Sequence, residues 1–354
     1  MKECTVPNAT PVERALFSTD MLIEKPSSEV CYTVKLIGRP RREPDRPGPS
    51  DVKNPEDWDN RLITSTRGEW YAHVLRGSRK VLDIGCGSGF PSLYLARSIP
   101  EVVGVDPGTC EIEAARETQR YLGLRNITFL QESALTLPFG DSAFDGACFC
   151  TSLESTGDPE GALEEARRVI KPGGALAVEL QPYNEYLRGR GRWERMRFFV
   201  TDDKLYTPIA QYSVMTSSPV SGRTYMVHLK PKHNIGHRAR NTVLNQDAPP
   251  TIEGREVIEC LTKSQFSMVE RVEYYRVRGF EPKAFHALLE ATGFNDIGWW
   301  VYPSGPEFAR GLEEQGLLGN LENDQLIPYI RALVRASRTD TAIGDCFSAV
   351  NAKQ

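Results

Sequence analysis

Val81-Leu82-Asp83-Ile84-Gly85-Cys86-Gly87-Ser88-Gly89 decides the fold. It reads as a short apolar strand carrying an acid, followed by three glycines spaced two apart. Glycines there let the chain turn sharply out of the strand and let backbone amides approach a ligand with no Cβ in the way. The spacing narrows the ligand. A dinucleotide loop needs G-x-G-x-x-G, so that a pyrophosphate sits on the next helix N-terminus. Here Gly85, Gly87 and Gly89 give G-x-G-x-G, and Phe90 stands where the third dinucleotide glycine would be. Asp83, two residues before the loop, would repel a pyrophosphate and suits a ligand that carries an ammonium.

Outward from this stretch, strands and helices alternate. Val102 to Val105 reads as a second strand closed by Asp106, Ile127 to Gln131 as a third and Ala147 to Cys150 as a fourth. Lys171-Pro172-Gly173-Gly174 reads as a turn into a fifth, Ala175 to Leu180. Helices are predicted over Pro91–Ser98, Glu111–Leu122 and Pro159–Ile170, with Ile112, Ala115 and Leu122 on one side of the second. Such β-α repeats predict a doubly wound α/β fold, mostly parallel, with the ligand at the carboxyl ends of the strands. The glycine loop and Asp106 both fall there.

The order of these segments resembles the class I S-adenosylmethionine-dependent methyltransferases, of the small-molecule "methyltransferase type 11" kind. Leu137-Pro138-Phe139 followed by Phe144-Asp145, and the Lys-Pro-Gly-Gly turn, extend the likeness over roughly residues 79–180. The resemblance implies a seven-stranded sheet with an antiparallel last strand and S-adenosyl-L-methionine as cofactor. It implies that the glycine loop wraps the methionine moiety and that Asp106 holds both ribose hydroxyls. Carried over by position, the cofactor contacts are Asp83, Gly85, Cys86, Gly87, Gly89, Asp106, Pro107, Ser133, Ala134 and Cys150. One departure concerns adenine: where the family has an acid for its amino group, this chain has Ser133, with Glu132 just before it.

Around this core the chain is long. The first 56 residues are rich in Pro and Arg, as in Arg39-Pro40-Arg41-Arg42-Glu43-Pro44, and predict an extended arm. Residues 57–180 are the predicted cofactor-binding core, opening on a helix near Trp58 to Leu75 that in the family packs over the cofactor. Residues 181–277 leave the alternating pattern and read as an inserted substrate or cap region, where an acceptor pocket is expected. Residues 278–354 return to the core with a helix over Glu281–Ala291, a strand over Ile297–Tyr302 and a last, antiparallel strand over Cys346–Val350. A helical insertion at 303–340 is expected between the last two.

Composition fits a water-soluble enzyme. With 354 residues and a net charge of −4, the chain lacks the strongly basic footprint of a general nucleic-acid binder. No N-terminal apolar run and no stretch of about eighteen apolar residues is present, so neither a signal peptide nor a membrane span is predicted, and the expected location is cytoplasmic. The eight cysteines have no metal-ligand spacing and read as buried thiols, so no metal is expected. A homo-oligomer is compatible with the sequence.

The acceptor side is less defined. After the fourth strand comes Thr151-Ser152-Leu153-Glu154. Members of this fold that methylate amino groups of bases or glutamine carry Asn/Asp-Pro-Pro-Tyr there, which argues against amide-like acceptors. Glu154 is the candidate catalytic residue, as a general base or the partner of a cationic substrate, against the alternative of a solvated loop residue. The insertion adds Tyr183, Tyr186, Trp193, Phe198, Phe199, Tyr206, Tyr212 and Tyr225, which would line an aromatic pocket or pack its own core. His228, His233 and His237 are further candidate bases, and Arg188 to Arg197 with Lys230 to Arg240 form basic clusters. The expected function is methyl transfer to a small-molecule acceptor. The alternatives are an RNA or protein methyltransferase using the basic insertion, or a non-catalytic cofactor-binding partner protein.

Overall fold

Continuous apolar strand runs build a sheet buried on both faces. In a computed structural model, the described residues are 9–17, 22–25, 66–181, 187, 191–200, 208–217, 220–229, 251–252, 269–300, 331–332, 338–339 and 346–352. The chain divides into two compact units, Arg46–Pro182 with Phe280–Gln354, and Met1–Asp45 with Tyr183–Gly279.

The first of these holds the glycine loop. Its elements run α2 (Thr66–Val74), β2 (Lys80–Ile84), α3 (Ser92–Leu95), β3 (Glu101–Val105), α4 (Thr109–Tyr121), β4 (Ile127–Leu130), β5 (Phe144–Cys150), α5 (Pro159–Val169), β6 (Ile170–Glu179), α6 (Pro282–Ala291), β12 (Phe294–Trp300), β13 (Arg338–Thr339) and β14 (Cys346–Asn351). The strand order is β13-β12-β14-β6-β5-β2-β3-β4. Strands β4, β3, β2, β5 and β6 pair in parallel, while β14 is antiparallel to both β6 and β12. This is the expected doubly wound α/β sheet of seven strands with an antiparallel last strand, lengthened at one edge by the two-residue β13.

Successive strand residues feed opposite layers. Val81 and Val102 pack with Trp70, Leu93, Ile112 and Phe129 on one side, under α2, α3 and α4. Leu82 and Val103 pack with Leu163, Ala166, Phe285 and Phe347 on the other, under α5 and α6. The turn expected at Lys171–Gly174 lies inside β6 as an irregularity, where the register passes from Phe144 opposite Ile170 to Gly146 opposite Ala175. Gly173, at φ 77°, absorbs the extra residues. The helical insertion expected over 303–340 falls almost wholly outside the described residues; within them, 331–332 are helical and 338–339 are strand.

The other unit is a six-stranded sheet ordered β1-β11-β9-β8-β7-β10. Its strands are β1 (Leu22–Glu24), β7 (Arg192–Val200), β8 (Pro208–Ser217), β9 (Val220–Leu229), β10 (Thr251–Ile252) and β11 (Val269–Arg278), joined by helix α1 (Pro11–Phe17). The extended arm predicted over 1–56 therefore contains a helix and a strand. Pro11 at the first helical turn costs nothing, because its missing N–H would have no partner there. A capping box closes the helix: the Thr10 amide donates to Glu13 Oε2 at 2.9 Å and the Glu13 amide to Thr10 Oγ1 at 3.0 Å.

Three tyrosines, Tyr212, Tyr225 and Tyr274, stand side by side across β8, β9 and β11, with ring centroids 5.9 and 5.3 Å apart. Each hydroxyl donates to a glutamate: Tyr212 to Glu194 at 2.6 Å, Tyr225 to Glu13 at 2.7 Å and Tyr274 to Glu24 at 2.6 Å. Glu13 is fully buried and also accepts from Arg223 Nε. Of the aromatics predicted to line an acceptor pocket, Tyr212 and Tyr225 are thus buried in this unit's own core. Trp193 is half-buried against Met215 and Met226. Tyr183, Tyr186, Tyr206, His233 and His237 lie outside the described residues, and so do the side chains of Phe198 and Phe199.

Candidate functional site

The glycine loop leaves the end of β2 and is braced from three directions. Gly85 and Gly87 have φ of 77° and 49°, a region that residues with a Cβ rarely adopt. A Cβ at Gly85 would sit 2.4 Å from Ser152 Cβ, whereas one at Gly87 would come no nearer than 3.8 Å to Glu111 Oε2. Gly85 is therefore glycine to admit Ser152. Gly87 keeps its α-carbon side open, the opening a ligand needs.

Asp106 closes β3 beside this opening. Its carboxylate accepts from the Gly87 amide at 3.0 Å and from the Gly108 amide at 2.8 Å, tying the loop to the neighbouring strand. Burial raises the pKa of Asp106 against the lowering effect of those two amides. Glu111, in the first turn of α4, packs against the same place, and its pKa is raised by burial and then by the charge of Asp106. Two carboxylates here disfavour a phosphate and favour a ligand with hydroxyls or positive charge.

Asp83 is placed differently from the sequence expectation. It is fully buried, with Oδ2 accepting from Ser92 Oγ at 2.6 Å and from the Ser92 amide at 3.2 Å, and Oδ1 facing the Cys148 thiol at 3.7 Å. Burial pushes its carboxyl up to about 7, against the lowering effect of Ser92. Asp83 braces the far end of the loop from beneath, because side chains two apart on a strand share a face and this one faces the layer under α3.

The remaining predicted contacts are spread around the same strand ends. Cys86 is buried under the loop, its thiol pushed up by burial. Pro107 offers its carbonyl to Gln131 Nε2 at 3.2 Å. Ser133 Oγ accepts from the Leu135 amide at 3.2 Å, and Ala134 packs on the Leu82 layer. Cys150 ends β5, where Arg67 Nη2 donates to its sulfur at 3.2 Å. Glu154, in the short 3-10 turn Leu153–Ser155, is only 2% exposed and accepts from the Gln181 amide. It is not a solvated loop residue.

Sequence reasoning missed a second cluster. Glu179 closes β6 and is 9% exposed. Its Oε2 accepts from Arg67 Nη2 at 2.7 Å, Arg67 Nε at 3.1 Å and Tyr71 Oη at 2.9 Å. Arg67 also stands over the Phe90 ring, 5.2 Å from its centroid, just after the glycine loop. The signal was present: Ala-Leu-Ala-Val-Glu179 ends on an acid just as Val-Val-Gly-Val-Asp106 does. Among the described residues no group of three or more His, Cys, Asp and Glu is placed to hold a metal ion, and no helix is long and apolar enough to cross a membrane.

Comparison with known proteins falls on the same region. The family described as "Methyltransferase domain" matches residues 82–178. The chain is 37% identical over 101 residues to the methyltransferase GfsG of Streptomyces halstedii, an alignment covering 28% of this chain and 36% of that protein. It is 37% identical over 105 residues to a demethylmenaquinone methyltransferase of Thermus thermophilus, covering 29% and 47%. It is 32% identical over 146 residues to a 2-phytyl-1,4-naphtoquinone methyltransferase of Synechocystis, covering 39% and 61%. The chain thus spans less than two thirds of the length of each of these relatives. Likeness to solved structures is low, with a TM-score of 0.46 and 12% identity to an S-adenosylmethionine-dependent methyltransferase from Clostridium acetobutylicum, covering 84% of this chain and 98% of that one. The matched residues are those that build β2 to β6 and the glycine loop, so over residues 82–178 the chain is similar to the methyltransferase domain family.

Proposed function

We propose that this protein transfers a methyl group from S-adenosyl-L-methionine to a small-molecule acceptor. The observation that carries the proposal is the open glycine loop tied through the Gly87 amide to the carboxylate of Asp106. The residues fit the cofactor's parts. Asp106 would accept from the ribose hydroxyls, and the open side of Gly87 would let the ligand pass. The half-buried Glu111 beside Asp106 adds a second carboxyl near a ligand carrying an ammonium and a sulfonium, while the fully buried Asp83 would act by bracing the loop. Pro107, Ser133, Ala134 and Cys150 would complete the enclosure. When bound, the cofactor supplies a methyl group already attached to a good leaving group, so the protein's main task is alignment. Holding an acceptor atom in line is worth about 7–11 kcal/mol of barrier.

The printed names of the relatives support a small acceptor, since two of those above act on quinones. Basic residues that would favour RNA add little: Arg192 pairs with Glu194 at 2.6 Å, and Lys230 to Arg240 fall outside the described residues. The test is incubation of the full chain with methyl-labelled cofactor and fractionated cell extract. Label should enter the small-molecule fraction. Label only in RNA or protein would refute a small acceptor, and no release of S-adenosylhomocysteine with any fraction would refute catalysis.

A further inference from the structure

The ends of three strands meet at one short segment, Thr151–Ser155, and it holds each of them. Ser152 Oγ donates to the carbonyl of Ile84, the last residue of β2, at 2.6 Å, and its Cβ fills the space that glycine at position 85 leaves. The Thr151 amide donates to the Glu179 carbonyl at the end of β6, at 2.8 Å. Gln181 Nε2 reaches back to the Thr151 carbonyl at 3.5 Å, and the Glu154 carboxylate accepts from the Gln181 amide. The turn is closed on itself by Ser155 N to Ser152 O at 3.1 Å and Thr156 N to Leu153 O at 3.2 Å, over a fully buried Leu153. Thr151 holds φ 55°, a conformation unfavourable for a β-branched residue, which persists only where the surroundings impose it.

Resting on the methyltransferase reading, we propose that Thr151–Ser155 is a clip that sets the glycine loop against the end of β6, and that Glu154 is a positioning residue acting through the Gln181 amide. The argument is geometric. A general base must reach the proton of an acceptor, yet Glu154 is 2% exposed and turned onto the backbone beyond β6. What that bond does is fix residue 181 to the turn, and the same turn fixes Ile84, which leads directly into Gly85. Changing one end should therefore be felt at the other. The end of β6 also carries Glu179, whose side chain holds Arg67 and Tyr71 of α2. The clip thus links the cofactor loop to the helix covering the strand ends.

The experiment uses the full chain and S-adenosylhomocysteine as the probe, titrated by calorimetry against wild type, Glu154→Ala, Glu154→Gln and Ser152→Ala. A base in an acceptor site would leave the binding of this probe unchanged in all variants. The clip predicts that Glu154→Ala weakens it by about tenfold and Ser152→Ala by roughly three- to tenfold, the scale of one lost hydrogen bond at a loop. Glu154→Gln keeps an oxygen for the Gln181 amide and should bind within about twofold of wild type. Amide exchange at Gly85 to Gly89 should quicken in the two alanine variants and not in the glutamine variant. Normal binding by both alanine variants, or binding by Glu154→Gln as weak as by Glu154→Ala, overturns the proposal. Should Glu154→Ala fail to unfold cooperatively, Ser152→Ala decides alone. A wild type that binds no S-adenosylhomocysteine would sink the methyltransferase reading instead, and the clip would still be read from exchange at Gly85 to Gly89.

Discussion

Asp106 and Asp83 are two acids at the ends of neighbouring strands with different surroundings, and they should behave differently when changed. Asp106 is tied to two backbone amides at the mouth of the loop. Replacing it with Ala removes the proposed acceptor for ribose hydroxyls and one anchor of Gly87. S-adenosylhomocysteine binding should fall by about 2–3 kcal/mol, roughly 30- to 150-fold by calorimetry. Asp83 is sealed inside, where burial raises its carboxyl from 3.8 to about 7. A raised folded-state value means that its contribution to stability is fully present below the unfolded value near pH 4 and is lost as pH rises to about 7. Asp106 and Glu111 shift in the same direction through burial. Asp83→Asn keeps an oxygen for Ser92 and removes the charge. It should melt above wild type at pH 8, with an advantage that shrinks steadily toward pH 4 in thermal scans. A difference independent of pH would contradict the burial assignment.

Among the elements, α2 shows how packing overrides propensity. Gly68 sits inside this helix, where Gly usually costs about 1 kcal/mol relative to Ala. A Cβ at this position would lie 2.5 Å from the Tyr94 ring. The helix is glycine there to lie directly on α3, and Tyr94 in turn donates to Glu69 at 2.5 Å. Gly68→Ala should therefore destabilise rather than stabilise, since overpacking costs about 1–3 kcal/mol and outweighs the propensity gain. The midpoint of urea unfolding should drop, and a rise would show that Tyr94 moves aside freely. Arg67 and Tyr71 hold the same helix to Glu179.

For the whole molecule, the proposed cofactor contacts and the N-terminal segment belong to different units. Every candidate cofactor contact lies in 83–150, within one unit, whereas Glu13 is fully buried in the other with Arg223, Tyr225 and Thr10. Removing one partner of such a buried ion pair costs about 3–5 kcal/mol, because the remaining charge is left uncompensated. Glu13→Ala should lower the unfolding transition of its own unit in calorimetric scans. S-adenosylhomocysteine affinity measured below that transition should stay within about threefold of wild type. A large loss of affinity in the folded variant would mean that the N-terminal segment takes part in binding.

The sequence by itself determined the α/β class, the parallel order of the first five core strands, the antiparallel last strand and the position of the glycine loop. Each of these rests on local regularity. Short continuous apolar runs make strands buried on both faces, helical spacing makes the covering helices, and glycines mark where the backbone must take positive φ. What the carboxylates do was decided only in three dimensions. Asp83 meets Ser92 and Cys148, Glu154 meets the amide of Gln181, Glu179 gathers Arg67 and Tyr71, and Glu13 finds Arg223 some 210 positions away. The same tertiary folding turned part of an apparent arm into a helix and strand of the second sheet. An acid's role follows from the donors that burial brings to it and the water that burial removes, and neither is written in the residues beside it.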